Sequence, residues 1–202
     1  MAKLLLATTN RGKISEYRSL LRDLPLELVT PGEVGINVHV EEKYPSYEEN
    51  ASVKARTYSD ASQLVTLADD SGLEVDILSG EPGIRSARAA GEAAGDKERI
   101  KHLLERLKGV PLEKRTARFK CVIAIATPEG RIELCHGECP GLIALEPSGE
   151  NGFGYDPVFY LPEFKKTIAE LPLDIKNRIS HRGKAARKAY RILEQLAEKV
   201  KP

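Results

Sequence analysis

Residues 3–13 read Lys-Leu-Leu-Leu-Ala-Thr-Thr-Asn-Arg-Gly-Lys, and the fold is decided here. Residues 3–8 are apolar and few, as a buried strand is, and residues 13–24 then place Ile14, Tyr17, Leu20, Leu21 and Leu24 at helical spacing. Strand, small polar loop and helix make a β-α opening. A helix amino terminus presents N–H groups and a positive dipole end, so this loop is a candidate anion site. Gly12 lets a ligand approach the backbone, Lys13 adds a point charge, and Asn10 with Thr8 or Thr9 adds directed hydrogen bonds. The loop is not a Walker A motif, because Ala7 stands where its first glycine belongs and Ile14 where its Ser or Thr belongs. A plain βα turn with a surface lysine competes with the anion reading, and the loop alone does not separate the two.

Outward from this opening, Val34, Ile36, Val38 and Val40 alternate with polar residues, which predicts a half-exposed strand ending at Glu41-Glu42. Ser46 and Glu49 form a capping-box pattern before a helix with Tyr47, Ala51, Ala55 and Tyr58 on one face. Residues 64–68 predict a short strand stopped by Asp69-Asp70-Ser71-Gly72, after which Leu73, Val75 and Ile77 alternate. A glycine- and arginine-rich loop spans 80–95, and Asp96 is placed to cap a helix with Ile100, Leu103, Leu104 and Leu107, stopped by Gly109. Residues 115–127 and 131–136 read as a hairpin around Pro128-Glu129-Gly130. A flexible loop at 149–154 precedes Tyr155, and a last helix starting near Gly183 carries Ala186, Ala189, Tyr190, Leu193, Ala197 and Val200. Crossovers mixed with hairpins predict an α/β protein with a mixed sheet in one domain over 1–202, with a cleft where strand ends carry polar loops.

The bulk properties limit the function classes. Hydrophobic residues are 41% and charged residues 30% of 202, an ordinary globular balance. A net charge of +1 gives no broad attraction to nucleic acid or an anionic membrane, so any anion site is local. No apolar run approaches the roughly 20 residues that cross a bilayer. Residues 1–7 resemble a short signal peptide but lead straight into the polar loop and helix, without a cleavage region. Cys121, Cys135 and Cys139 form no even framework, which suits a reducing cytoplasm. Cys135-His136 with Cys139 lacks standard zinc spacing and a second ligand cluster, so cysteines in or beside strands is the stronger reading.

Several segments carry chemistry. Asp69 and Asp70 at a strand's end point to opposite sides of an extended chain, so one enters a site while the other orients it or caps a turn. Such carboxylates suit a hard cation such as Mg²⁺, which also keeps water and phosphate ligands. Glu41-Glu42 at another strand end offers one more carboxylate but alone reads as a solvated edge, and Lys54 on the following helix alone reads as exposed. Phe153, Gly154, Tyr155 and Asp156 combine mobile backbone, an aromatic face that can stack on a base, and an acceptor. Lys176, Arg178, His181 and Arg182 lead into the last helix as a second donor-rich amino terminus.

In order along the chain, TTNRGK (8–13), ENASVKA (49–55), ADDSGLEVD (68–76), PGIRSAR (82–88), GFGYDPVF (152–159) and SHRGKA (180–185) closely resemble the inosine triphosphate pyrophosphatase family. The ordered set covers nearly the whole chain. The resemblance implies a long central mixed β-sheet with two α/β lobes flanking a substrate cleft, and a homodimer. It implies Mg²⁺-dependent hydrolysis of non-canonical purine nucleoside triphosphates to the monophosphate and pyrophosphate. By the same resemblance Thr8, Thr9, Asn10, Arg11, Gly12 and Lys13 hold the phosphates. Asp70 is the catalytic carboxylate and a metal ligand, and Glu42 rather than Glu41 is the second ligand. Ser71, Phe153, Gly154, Tyr155, Asp156, Lys176, His181 and Arg182 contact substrate. Two other readings stay open: a pyrophosphatase for pyrimidine or modified nucleotides, and a noncatalytic nucleotide sensor or RNA-binding module.

Overall fold

The computed structural model describes residues 2–199, and side chains through residue 198, so Val200 lies outside the described residues. Strand β1 (Ala2–Leu6) leads into helix α1 (Arg11–Leu20), followed by β2 (Leu26–Val29) and α2 (Tyr47–Ser62). Next come β3 (Val65–Val75), the two-residue β4 (Pro82–Gly83) and α3 (Asp96–Arg106). The hairpin strands are β5 (Thr116–Ala126) and β6 (Ile132–Ile143), then β7 (Phe159–Leu161) and β8 (Lys166–Thr167). Helices α4 (Leu173–Ile179) and α5 (His181–Lys199) complete the described chain.

The eight strands form one sheet in the order β2-β1-β3-β5-β6-β7-β8, with β4 paired to β3. β1 runs parallel to β2 and β3, while β3–β4, β6–β7 and β7–β8 are antiparallel, so the sheet is mixed as expected. No helix among the described residues is long and apolar enough to cross a membrane.

The chain resolves into two compact units. The first takes the chain up to Asp70, Cys121–Gly137 and the chain from Arg182. Its core joins Leu4 and Leu6 of β1, Tyr17 of α1, Leu67, Ile123 and Ile125 of the sheet, and Ala186, Ala189 and Leu193 of α5. Each fully buried leucine or isoleucine there contributes about 1.5–3 kcal/mol. Cys121, Cys135 and Cys139 are all buried, reduced and within strands. The second unit comprises Ser71–Lys120 and Glu138–His181. Its core gathers Leu73, Val75, Ile100, Leu103, Phe119, Phe159 and Ile168. Buried Arg115 donates to the carbonyls of Leu107 (2.9 Å) and Val110 (2.9 Å) just past α3, and of Ala144 (3.0 Å) just past β6.

The helix of residues 47–62 begins as predicted. Ser46 Oγ accepts from the Glu49 N–H at 3.2 Å and donates to the Glu49 carboxylate at 2.8 Å.

Four expectations are corrected. Residues 34–40 form no strand: exposure alternates along them, but no neighbouring strand pairs with them, and Tyr58 Oη donates to the Val38 carbonyl at 2.8 Å instead. The strand in that part of the chain is the earlier Leu26–Val29, paired along β1. Asp69-Asp70-Ser71-Gly72 does not stop a strand, because β3 runs unbroken through it. Gly95, not Asp96, caps α3, and Asp96 is the first helical residue. The last helix starts at His181, two residues before Gly183, directly after the unexpected short helix α4.

Candidate functional site

The carboxylates of β3 owe their positions to the period-two alternation of a strand, which turns neighbours to opposite faces. Asp69 meets α1 and α5. Its Oδ1 is 2.9 Å from Lys13 Nζ, and its Oδ2 is 3.1 Å from Arg182 Nε. Arg182 in turn donates from Nη1 to Glu16 Oε2 at 2.7 Å. Asp69, Arg182 and Glu16 are 1%, 2% and 3% exposed, so Lys13–Asp69–Arg182–Glu16 is a largely buried chain of alternating charge. Burial alone would push the Asp69 carboxyl up. Lys13, Arg182 and Lys54 outweigh it and hold Asp69 well below the usual carboxylate range.

Asp70 has other partners. Asn50 of α2 donates to its Oδ2 at 3.0 Å. Burial, and then the Glu42 carboxylate, push the Asp70 carboxyl up to about 6 against the pull of Lys13, Asn50 and Lys54. Glu42 is paired with Lys54, whose Nζ also reaches the Asp69 carbonyl at 3.4 Å. Glu41 faces solvent, with Lys43 at 3.4 Å.

The first loop is organised by its own side chains. Asn10 caps α1, its Oδ1 accepting from the Lys13 N–H at 3.0 Å, and Thr8 Oγ1 accepts from the Asn10 N–H at 3.2 Å. The Arg11 and Gly12 N–H groups therefore head the helix, pointing along its axis as first-turn donors do. Thr9, Asn10 and Arg11 are exposed, and Gly12 and Lys13 are half-buried.

In the second unit, Lys176 and Asp156 form a buried ion pair. Asp156 Oδ2 also accepts from the Phe153 N–H at 2.9 Å, and Lys176 Nζ lies 4.8 Å from the centre of the Phe153 ring. Tyr155 is buried and donates from Oη to the Ser86 carbonyl at 3.1 Å. His181 stacks on Phe119 with ring centres 4.6 Å apart and 16° between planes.

The sequence-predicted residues divide between the two units. Thr8 to Lys13 in the loop, Glu42, Lys54, Asp69, Asp70 and Arg182 belong to the first unit. Ser71, Phe153, Gly154, Tyr155, Asp156, Lys176 and His181 belong to the second. Sequence reasoning passed over Asn50, Glu16 and Phe119, and read Asp96 only as a helix cap. Asn50 had a signal: it stands three residues after Tyr47 and four before Lys54, so it shares the buried face of α2. Glu16, beside Tyr17 on the apolar side of α1, reads as surface charge until Arg182 is seen against it.

Chemically, the first group joins a lysine-headed helix start to two mutually repelling carboxylates, Asp70 and Glu42. In general a helix start of this kind can receive an anion, and paired carboxylates can ligate a hard cation, in an α/β protein. A profile of the Ham1 family matches residues 4–192, and the chain belongs to that family. A relative from Desulforamulus reducens, named dITP/XTP pyrophosphatase, is 51% identical over 194 residues, covering 96% of each chain. One of the same name from Bacillus subtilis is 42% identical, covering 96% of this chain and 98% of its own. The solved structure of a HAM1 protein from Coxiella burnetii superposes with a TM-score of 0.87 at 42% identity, covering 96% of this chain and all of its own.

Proposed function

We propose that this chain hydrolyses the non-canonical purine nucleoside triphosphates ITP, dITP and XTP to the monophosphate and pyrophosphate. The observation that carries the reading is Asp70, a buried carboxylate held by Asn50 at 3.0 Å within the fields of Glu42 and Lys13. The names of the full-length relatives support the substrate class. Lys13 and the N–H groups of residues 11–12 neutralise the triphosphate oxygens, whose charge grows as the bond between the α- and β-phosphates breaks. Asp70 is the carboxylate that takes up the attacking water's proton, directly or by ligating the cation that would hold that water. Water supplies the oxygen that stays on the monophosphate, and pyrophosphate leaves.

The donor set fits Mg²⁺. Asp70 and Glu42 are hard oxygen ligands, and the Glu42 charge already raises Asp70, a repulsion that a divalent cation relieves. Among the described residues no three His, Cys, Asp or Glu side chains converge, so these two carboxylates would hold the ion and leave its other positions to water and phosphate. When bound, it would supply further charge neutralisation on the transferring oxygens. Glu41, exposed and turned to Lys43, is the weaker candidate.

Ser71, Phe153, Gly154, Tyr155, Asp156, Lys176, His181 and Arg182 would bind the nucleoside. Donors from His181, from Arg182 or from the backbone at the start of α5 would meet the purine 6-oxo group. Adenine's 6-amino group would leave donors facing donors, which is costly when buried. Thr8, Thr9 and Asn10 would shape the phosphate loop. The resemblance supports a homodimer, and the free buried cysteines support a cytoplasmic setting. Near-neutral net charge supports a small-molecule substrate over nucleic acid or a membrane.

A substrate panel tests this. Turnover of ITP, dITP and XTP is expected to exceed that of ATP by about 10²-fold or more in kcat/KM, and chelating divalent cations should abolish it until Mg²⁺ is restored. Equal turnover of ITP, GTP and ATP would sink the proposal.

A further inference from the structure

We infer that Asp96 is a positioning residue for nucleobase recognition, acting through the backbone of residues 153–155. The inference rests on the reading that this segment meets the base. Three consecutive residues there are anchored by three different groups. The Phe153 N–H goes to Asp156 Oδ2 at 2.9 Å, the Gly154 N–H to Asp96 Oδ2 at 2.7 Å, and Tyr155 Oη to the Ser86 carbonyl at 3.1 Å. The first anchor is local. The other two come from 58 and 69 residues away.

The distant anchors are themselves tied down. Asp96 Oδ1 pairs with Arg99 one turn along α3, and Arg99 Nη1 donates to the Ala87 carbonyl at 2.5 Å. Ser86 Oγ accepts from the Leu73 N–H of β3 at 2.8 Å and donates to the Gly83 carbonyl at 2.6 Å. The PGIRSAR stretch thus joins β3, α3 and the aromatic segment in one hydrogen-bonded ring, with Asp96 as its only side-chain link to Gly154 among these bonds. Gly154 sits at φ +63° and Gly152 at +80°, so the backbone between them has few intrinsic constraints and takes its shape from these anchors. A charged acceptor on the Gly154 N–H is about twice as strong as a neutral one. Displacing the segment would move the Phe153 face and the Lys176–Asp156 pair together, because Asp156 holds both.

The test compares Asp96→Ala, Asp96→Asn and Glu98→Ala in the full chain, by steady-state ITP hydrolysis and by amide exchange of the 149–158 peptide. Glu98 serves as control, since its carboxylate accepts from the Gly95 N–H and supports the same helix start without touching the segment. Asp96→Ala is expected to raise KM for ITP about tenfold while kcat stays within about threefold, the scale of one lost charge-assisted bond. Asp96→Asn keeps an acceptor and should recover most of that loss, and Glu98→Ala should leave KM unchanged. Exchange at 149–158 should quicken in Asp96→Ala only. Equal effects of Asp96→Ala and Glu98→Ala would reduce Asp96 to a helix-start residue and overturn the inference, as would unchanged KM or unchanged exchange in Asp96→Ala. A wild-type chain that leaves ITP intact would overturn the functional reading instead, while exchange still reports whether Asp96 anchors the segment.

Discussion

Replacing Asp70 by asparagine is expected to lower kcat for ITP by about 10²- to 10⁴-fold, the range supplied by a positioned general base. The substitution keeps the shape and an acceptor for the Asn50 amide at 3.0 Å, so the site's packing persists. It removes the one charge that burial and Glu42 already disfavour. The folded chain should therefore be no less stable than the parent, and melting temperature separates lost chemistry from lost structure. Mg²⁺ affinity, measured by calorimetry, should fall as well, because the amide is a weaker ligand than the carboxylate. Near-normal turnover with intact Mg²⁺ binding would remove Asp70 from both roles.

The second large effect belongs to Arg182. Its guanidinium is 2% exposed and lies between Asp69 and Glu16, themselves buried. Arg182→Ala would leave two carboxylates in the interior without their shared cation. Breaking such a buried pair costs about 3–5 kcal/mol, which for a chain of this size lowers the melting temperature by roughly 10 °C. Adding Glu16→Gln should recover part of the loss, since one buried charge is then gone, and the two changes should be non-additive. A melting temperature within about 2 °C of the parent would mean that water reaches these carboxylates and that the charged chain is not a structural unit. Asp69 spans Arg182 and Lys13, and so fixes the lysine that the proposed function sets against the triphosphate.

Much of this was legible in the sequence, and the misses have physical causes. The opening β-α unit, the Ser46-capped helix, the β5–β6 hairpin and the apolar stripe of α5 were readable because each carries its own period and stop signals. β2 was missed because Leu26–Val29 is four residues long and owes its state to pairing with β1. Residues 34–40 misled for the converse reason: alternation records which side chains face inward, and says nothing of whether a strand lies alongside. β3 runs through Asp69 and Asp70 despite their poor strand propensity, because Lys13, Arg182 and Asn50 satisfy those carboxylates from elsewhere in the chain. That compensation is tertiary, and no local pattern announces it. The candidate site divides the same way. Residues that present chemistry stood out by type and spacing, whereas Asn50, Glu16, Phe119 and Asp96 act by holding others and became visible only with their partners. Asp96 was singled out as a helix cap, but Gly95 holds that position and frees the Asp96 carboxylate for Gly154.

The most direct test is the product balance from ITP and Mg²⁺. Pyrophosphate and IMP in equal amounts, with no orthophosphate and no IDP, are expected if Asp70 and the Lys13 loop direct water to the bond between the α- and β-phosphates. Orthophosphate with IDP would contradict this, as the same residues would then be cleaving the terminal phosphate.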